Sequence, residues 1–328
     1  MSPRAEVWQV ASDTLSLQRR GRAPIYLDGF ELGVTEPTPE TNGAGNMPGH
    51  PAVASLPVVN GDVTVAAGTT YEDRVINGRL FVNWAPDTVV QNVYIAGPAT
   101  APTSGSAVPL VTIQNLPGTM TSSTAQVLLQ YVTVRPQTPS SYWDGIGRKG
   151  FKTVRCWLED INDGWQVFST TADGLIRAGD EGSCLTRFAQ FQPDAANPRP
   201  VTHNDGVQNQ GSLDEFVMVG TSINARPSTT RSNPLPPIRD ELSAVMLNSN
   251  TQSRAGVRMD RCWIRGGIYA VNAGLPSGYV EITDSRFERP GTDAWAPDRA
   301  ISLNSGLTRV VTGNTYLDNG ATVPVING

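Results

Sequence analysis

Val257–Ile264 reads VRMDRCWI, and variants of this octet recur along most of the chain. The other copies are Thr88–Ile95 (TVVQNVYI), Val127–Val134 (VLLQYVTV), Phe151–Leu158 (FKTVRCWL), Cys184–Phe191 (CLTRFAQF), Phe216–Ile223 (FVMVGTSI), Val280–Phe287 (VEITDSRF) and Val310–Leu317 (VVTGNTYL). Counted from position 0, position 7 is always apolar, position 5 is small or β-branched, and positions 0 and 2 are mostly apolar or Thr. Two stretches of period 2, out of phase with each other, read as two short strands joined by a bend near positions 3 and 4. Asn92, Gly220, Asp284 and Asn314 fall at that bend.

Successive copies begin 23 to 41 residues apart, the spacing of one solenoid coil with loops of variable length. Several coils carry another strand signal, a small residue followed by an apolar one: Gly145-Ile146, Gly206-Val207, Ala244-Val245, Gly267-Ile268 and Ala300-Ile301. The reading is an all-β parallel solenoid with about three strands per coil over residues 58–328, preceded by an arm over residues 1–57. Thr35 to Pro57 is dense in Pro, Gly, Thr and Asn, as expected of an extended segment. Leu15–Leu17 reads as a short strand or part of one weak helix, and Arg19-Arg20-Gly21-Arg22 as a solvated turn or an anchor contact. Cys156 and Cys262 occupy position 5 and Cys184 position 0, all inward, so buried free thiols are expected. The last coil runs out without an amphipathic cap, and its strand edge is expected to be covered by another chain or by a folded-back tail.

Composition narrows the function. The 328 residues carry 25 basic and 30 acidic side chains, a net charge of −5, so nucleic-acid binding is not expected. No apolar run is long enough to span a bilayer, and the N-terminus lacks the basic and apolar regions of an export signal, so neither membrane insertion nor export is expected. There is no Walker loop, nucleophile elbow or HExxH motif, and no cofactor or metal is expected. The only lysines are Lys149 and Lys152; the Arg bias fits a GC-rich genome.

The coil pattern, with His203-Asn204-Asp205-Gly206-Val207-Gln208, resembles the right-handed parallel β-helix of pectate-lyase-like proteins. Within them it is most similar to the minor tail and tailspike proteins of actinobacterial phages. That resemblance implies a homotrimer that contacts host surface polysaccharide during adsorption. It also implies an arm joined to other virion tail proteins, and assembly into the virion in the host cytoplasm. The alternative it leaves open is a polysaccharide depolymerase acting on the envelope.

In a stacked solenoid the chemistry lies in rows. Asp-Gly recurs at Asp144, Asp163, Asp173 and Asp205, each time followed by an apolar residue. Asp173 and Asp205 each precede a copy start by 11 residues, which favours adjacent stacking. Carboxylates one coil apart stand about 5 Å apart and two coils apart about 10 Å, bracketing the spacings of retaining and inverting glycosidases. The catalytic candidates are therefore Asp173 and Asp205, with His203 to orient a carboxylate or act as base and Asp144 or Asp180 as a third acid. A row of tight turns would contain the same dipeptides without catalysis, since Asp accepts backbone N–H bonds and Gly supplies positive φ. Trp143 and Trp165 flank the row as sugar-stacking candidates, and Arg148 and Arg177 as sugar-binding cations. Lys149, Lys152 and Arg187 join those arginines as the basic groups a uronate lyase needs, but their spacing is irregular. Position 6, read as outward, holds Tyr94, Trp157, Trp263 and Tyr316, suited to a sugar face or a subunit interface.

Overall fold

The position-4 row fixes the register of every coil. Asp73, Asn92, Tyr131, Arg155, Gly182, Gly220, Arg261, Asp284 and Gly313 all have left-handed φ, between 48° and 71°. One left-handed residue turns the chain from the first strand of a coil into the second. It does so without breaking the coil-to-coil ladder: Arg155 N–H reaches Glu181 O, Gly182 N–H reaches Val219 O, and Arg261 N–H reaches Thr283 O. Tyr131 and Arg155, unusual residues for this conformation, support each other, with Arg155 Nη1 donating to Tyr131 Oη at 2.8 Å.

The computed structural model describes residues 15–17, 25–27, 35–103, 105–116, 126–140, 142–148, 150–168, 177–188, 204–210, 215–225, 243–248, 256–266, 269–274, 278–289 and 301–327. Contacts divide the chain into two units, Met1–Thr35 and Glu36–Gly328. In the first, Leu15–Leu17 and Ile25–Leu27 form an antiparallel pair. The second is a parallel β-helix. Both strands flanking the bend belong to a 17-stranded sheet, and the third strand of each coil builds a 10-stranded sheet.

The core follows the periodic positions. Position 7 is buried in every coil from Ile76 and Ile95 to Phe287 and Tyr316. At position 5, Ser183 Oγ accepts Cys156 N–H, Ser285 Oγ accepts Cys262 N–H, and Asn314 Oδ1 accepts Ser285 N–H. Cys156, Cys184 and Cys262 are buried free thiols, and burial pushes Cys156 and Cys262 up to about 12.

Two copies lie in a different register from the sequence reading. Phe151 pairs with Ala178, and Ala178 with Phe216, so the fourth copy is Ala178–Leu185 (AGDEGSCL) and Cys184 stands at position 6. Ala178 and Asp180 at inward positions 0 and 2 hide this copy from an apolar search. Val280 pairs with Arg309, so the last copy is Arg309–Tyr316. Gly313 rather than Asn314 makes its bend, and Tyr316 points inward, 4% exposed, while Val310 is 40% exposed.

The segment from Glu36 is a run of turns rather than an extended arm, and it lies on the coils as part of the larger unit. Glu36 accepts Ser222 Oγ–H and pairs with Arg265; Asn42 Nδ2 donates to Gly182 O; Gly43 N–H reaches Arg155 O; Gly45 N–H reaches Asn92 Oδ1. Only glycine fits at position 43, where φ is +77° and a Cβ would stand 2.3 Å from Thr133 Oγ1. The position-6 side chains Thr133, Cys184, Ser222 and Trp263 are all buried.

Candidate functional site

The acidic row forms at the entry to the 10-stranded sheet. Trp143–Gly147, Trp165–Phe168, Asp205–Gln210 and Ser243–Asn248 stack in parallel, with Ile146 opposite Trp165 and Trp165 opposite Val207. That register brings Asp144, Asp163 and Asp205 onto successive coils, with Ser243 opposite Asp205. The glycines are required by crowding rather than by positive φ. A Cβ on Gly145, Gly164 or Gly206 would come within 2.4, 2.4 and 2.5 Å of a carbonyl oxygen in the next coil, from Gly164, Gly206 and Ala244 respectively.

The carboxylates of Asp144 and Asp163 reach toward the next coil. Asp144 Oδ1 accepts Asp163 N–H (3.3 Å) and Asn162 Nδ2–H (3.1 Å), and Asp163 Oδ1 accepts Asp205 N–H (2.9 Å). Asp205 Oδ2 faces Gln208 Nε2 at 3.4 Å. The three residues are 0, 2 and 1% exposed. Burial pushes Asp144 up to about 6 against the donors around it. Asp163 is held well above the usual carboxylate range by burial first, then by the charges of Asp144 and Asp205. Asp144 Oδ2 and Asn162 Oδ1 are buried without a hydrogen-bond partner among the described residues. A neutral carboxylic acid beside an ionisable one is the chemistry of a general acid and base, and the same contacts form a spine tying coil to coil.

The place beside Asp205 is taken by Asp163, which the spacing argument had passed over in favour of Asp173. The 11-residue spacing of Asp173 runs to Cys184, which is not a copy start. Asp173 and His203 lie outside the described residues, as do Lys149 and the side chain of Arg177. Asp180 is not part of this row: it points into the core of the other sheet, where it accepts bonds from Thr153 Oγ1, Thr221 Oγ1 and Ser183 N–H.

The aromatic candidates need correction. Trp165 is fully buried, with Nε1 donating to Thr153 Oγ1, and Trp143 is 3% exposed, so neither offers a ring face to a sugar. Trp263 is buried, Tyr316 faces the core, and Tyr94 and Trp157 are half-buried, the latter donating Nε1–H to Thr186 Oγ1. Arg148 is exposed just past the strand end. Sequence reasoning missed a second row on the same sheet: Thr112, Gly147, Gln166, Gln208, Met246, Asn272 and Ser302 are in mutual register. Its signal is the residue two places after each inward corner glycine, Gly147, Gln166 and Gln208.

Comparison with known proteins returns no matching family model, curated protein or solved structure.

Proposed function

We propose that this protein is a β-helical spike of a phage tail that binds a polysaccharide of the host surface, working as a homotrimer with residues 1–35 directed to other tail proteins. The observation that carries this reading is the row of the 10-stranded sheet in which Thr112, Gln166, Gln208, Asn272 and Ser302 stand in register, with gaps at Gly147 and Met246; Asn272 and Ser302 are half-buried and the other three 8–9% exposed. A ladder repeating at about 4.8 Å suits a repeating chain of hydroxyl groups. Arg148 adds an exposed cation beside it for an anionic sugar. The acidic row, buried and bonded from coil to coil, then serves as the spine behind this strip.

A second reading, a glycoside hydrolase acting on the envelope, is favoured by a separate observation: Asp144 and Asp163 are both raised and stand one coil apart. In that reading Asp163 donates the proton and Asp144 or Asp205 serves as the base. Incubating the purified protein with actinobacterial envelope polysaccharides separates the two. Retention without released reducing ends, weakened about tenfold in a Gln166→Ala, Gln208→Ala double variant, is the result expected of a binding spike. Reducing ends that appear without unsaturated sugar, and vanish in Asp163→Asn, select the hydrolase. Absence of both retention and cleavage on every polysaccharide overturns the reading.

A further inference from the structure

His50, Glu72 and Asp73 come together where the segment crossing the coils meets the strand Thr70–Asn77. One ring nitrogen of His50 and one oxygen from each carboxylate lie within 4.8 Å of one another. His50 Nδ1 is 2.9 Å from Asp73 Oδ1. Both carboxylates are oriented by amides of the next coil: Asn92 Nδ2 donates to Asp73 Oδ1 at 2.7 Å, and Gln91 Nε2 to Glu72 Oε2 at 2.5 Å. Those amides are fixed in turn, Gln91 Oε1 by Gln130 and Asn92 Oδ1 by the Gly45 N–H. Carboxylates steadied by outer hydrogen bonds, with a neighbouring imidazole, have the anatomy of a metal site.

We infer that His50, Glu72 and Asp73 bind a transition-metal dication, Zn²⁺ being the probe, and that the ion staples the segment around Gly43–His50 to the coil below it. One imidazole and two carboxylates supply three ligands and leave a position for water, a set that suits Zn²⁺. Ca²⁺ requires six or more oxygens, more than this cluster offers. The site is open to an entering ion, with His50 and Asp73 side chains 19% and 25% exposed. Nothing in the linear sequence announces it, because His50 belongs to the Pro- and Gly-rich stretch and its partners to a coil. The site is independent of the glycan-binding reading.

The test is calorimetric titration of ZnCl₂ into the chelator-treated, full-length protein at pH 7.5. The expected result is one ion per chain, with affinity falling at least tenfold in H50Q and in E72Q. Zn²⁺ should also slow amide exchange at Gly43 and Gly45, whose N–H groups bond to the coils. Melting of each variant in the absence of metal checks that the fold is retained; E72Q changes an exposed side chain and serves if H50Q fails to fold. Absence of stoichiometric uptake overturns the inference, as does uptake unchanged in H50Q and E72Q. Binding that leaves the exchange of Gly43 and Gly45 unaltered overturns the staple.

Discussion

Asp180 and the row Asp144–Asp163–Asp205 are equally hidden from solvent but held in opposite ways. Asp180 lies inside the 17-stranded sheet with donors on both oxygens, Thr153 Oγ1 at 2.5 Å on one and Thr221 Oγ1 at 2.5 Å with Ser183 N–H at 3.2 Å on the other. The row sets carboxyl groups beside one another, so each raises the cost of ionising the next. A buried acid ringed by neutral donors is a fastener. A buried run of like groups is tolerated only if it sheds charge by holding protons or serves a task that needs raised acids. The two sheets of one solenoid therefore use the same residue type for different ends.

The largest expected effect is on the fastener. Asp180→Ala strands the Thr221 hydroxyl and the Ser183 N–H in the core, while Thr153 Oγ1 keeps Gly179 O at 3.2 Å; at about 1 kcal/mol or more for each stranded group, denaturant unfolding at pH 7 should show a loss of about 2 kcal/mol. Asp180→Asn keeps one acceptor and should lose less. A loss below about 1 kcal/mol for Asp180→Ala would break the comparison, because Asp180 would then be no better anchored than the row.

The row should announce itself through pH. A carboxyl group whose folded pKa lies above its unfolded value contributes stability that is complete below the unfolded pKa and lost as pH rises through the folded one. For Asp144 that window runs from about 4, the ordinary Asp value, to about 6. Asp163, held well above the usual carboxylate range by burial first and then by its two neighbours, adds to the same decline as pH rises. Asp163→Asn keeps an oxygen for the Asp205 N–H while removing the central charge. It should flatten the fall in melting temperature with rising pH and leave the variant more stable than the parent at pH 8. Identical pH profiles for parent and variant would mean that the row carries no such strain.

The coil was legible in the sequence because its inward positions are set by packing, and an apolar residue at position 7 is required whatever the loops do. The exceptions arise where chemistry replaced packing. Asp180 occupies a position 2 that is apolar or Thr in the other copies, and Ala178 is only a weak apolar signal at position 0, so the fourth copy reads from Cys184 in the sequence, and the stacking partner of Asp205 is misplaced with it. The left-handed bend was visible at Asn92 and Asp284, whose short polar side chains favour that conformation, but Tyr131, Arg155 and Arg261 carry no such signal. The Asp-Gly dipeptides were visible, yet the reason for the glycine was not, since the approach of the neighbouring coil's carbonyl is set by stacking alone. Trp165 read as a sugar platform because an aromatic next to an acidic turn has that look; its partner Thr153 lies on the opposite sheet, where linear spacing gives no hint. The polar row Gln166–Gln208 was missed because alignment by register, not similarity of sequence, brings its members together.

The smallest expected effect sharpens the contrast between fastener and row. Asn162 gives Asp144 a side-chain hydrogen bond through Nδ2 at 3.1 Å, while its own Oδ1 is buried without a partner among the described residues. Asn162→Ala removes a donor that favours the ionised form of Asp144 and also removes an unsatisfied oxygen, and the two changes oppose each other. Stability at pH 5, where Asp144 is mostly protonated, should change by less than about 1 kcal/mol. The midpoint of the pH-dependent decline should move upward, because the ionised form has lost support. Melting curves between pH 4 and 8 check both expectations. A large loss at pH 5 would give the row a fastener of its own, and the difference between the two sheets would shrink to one of degree.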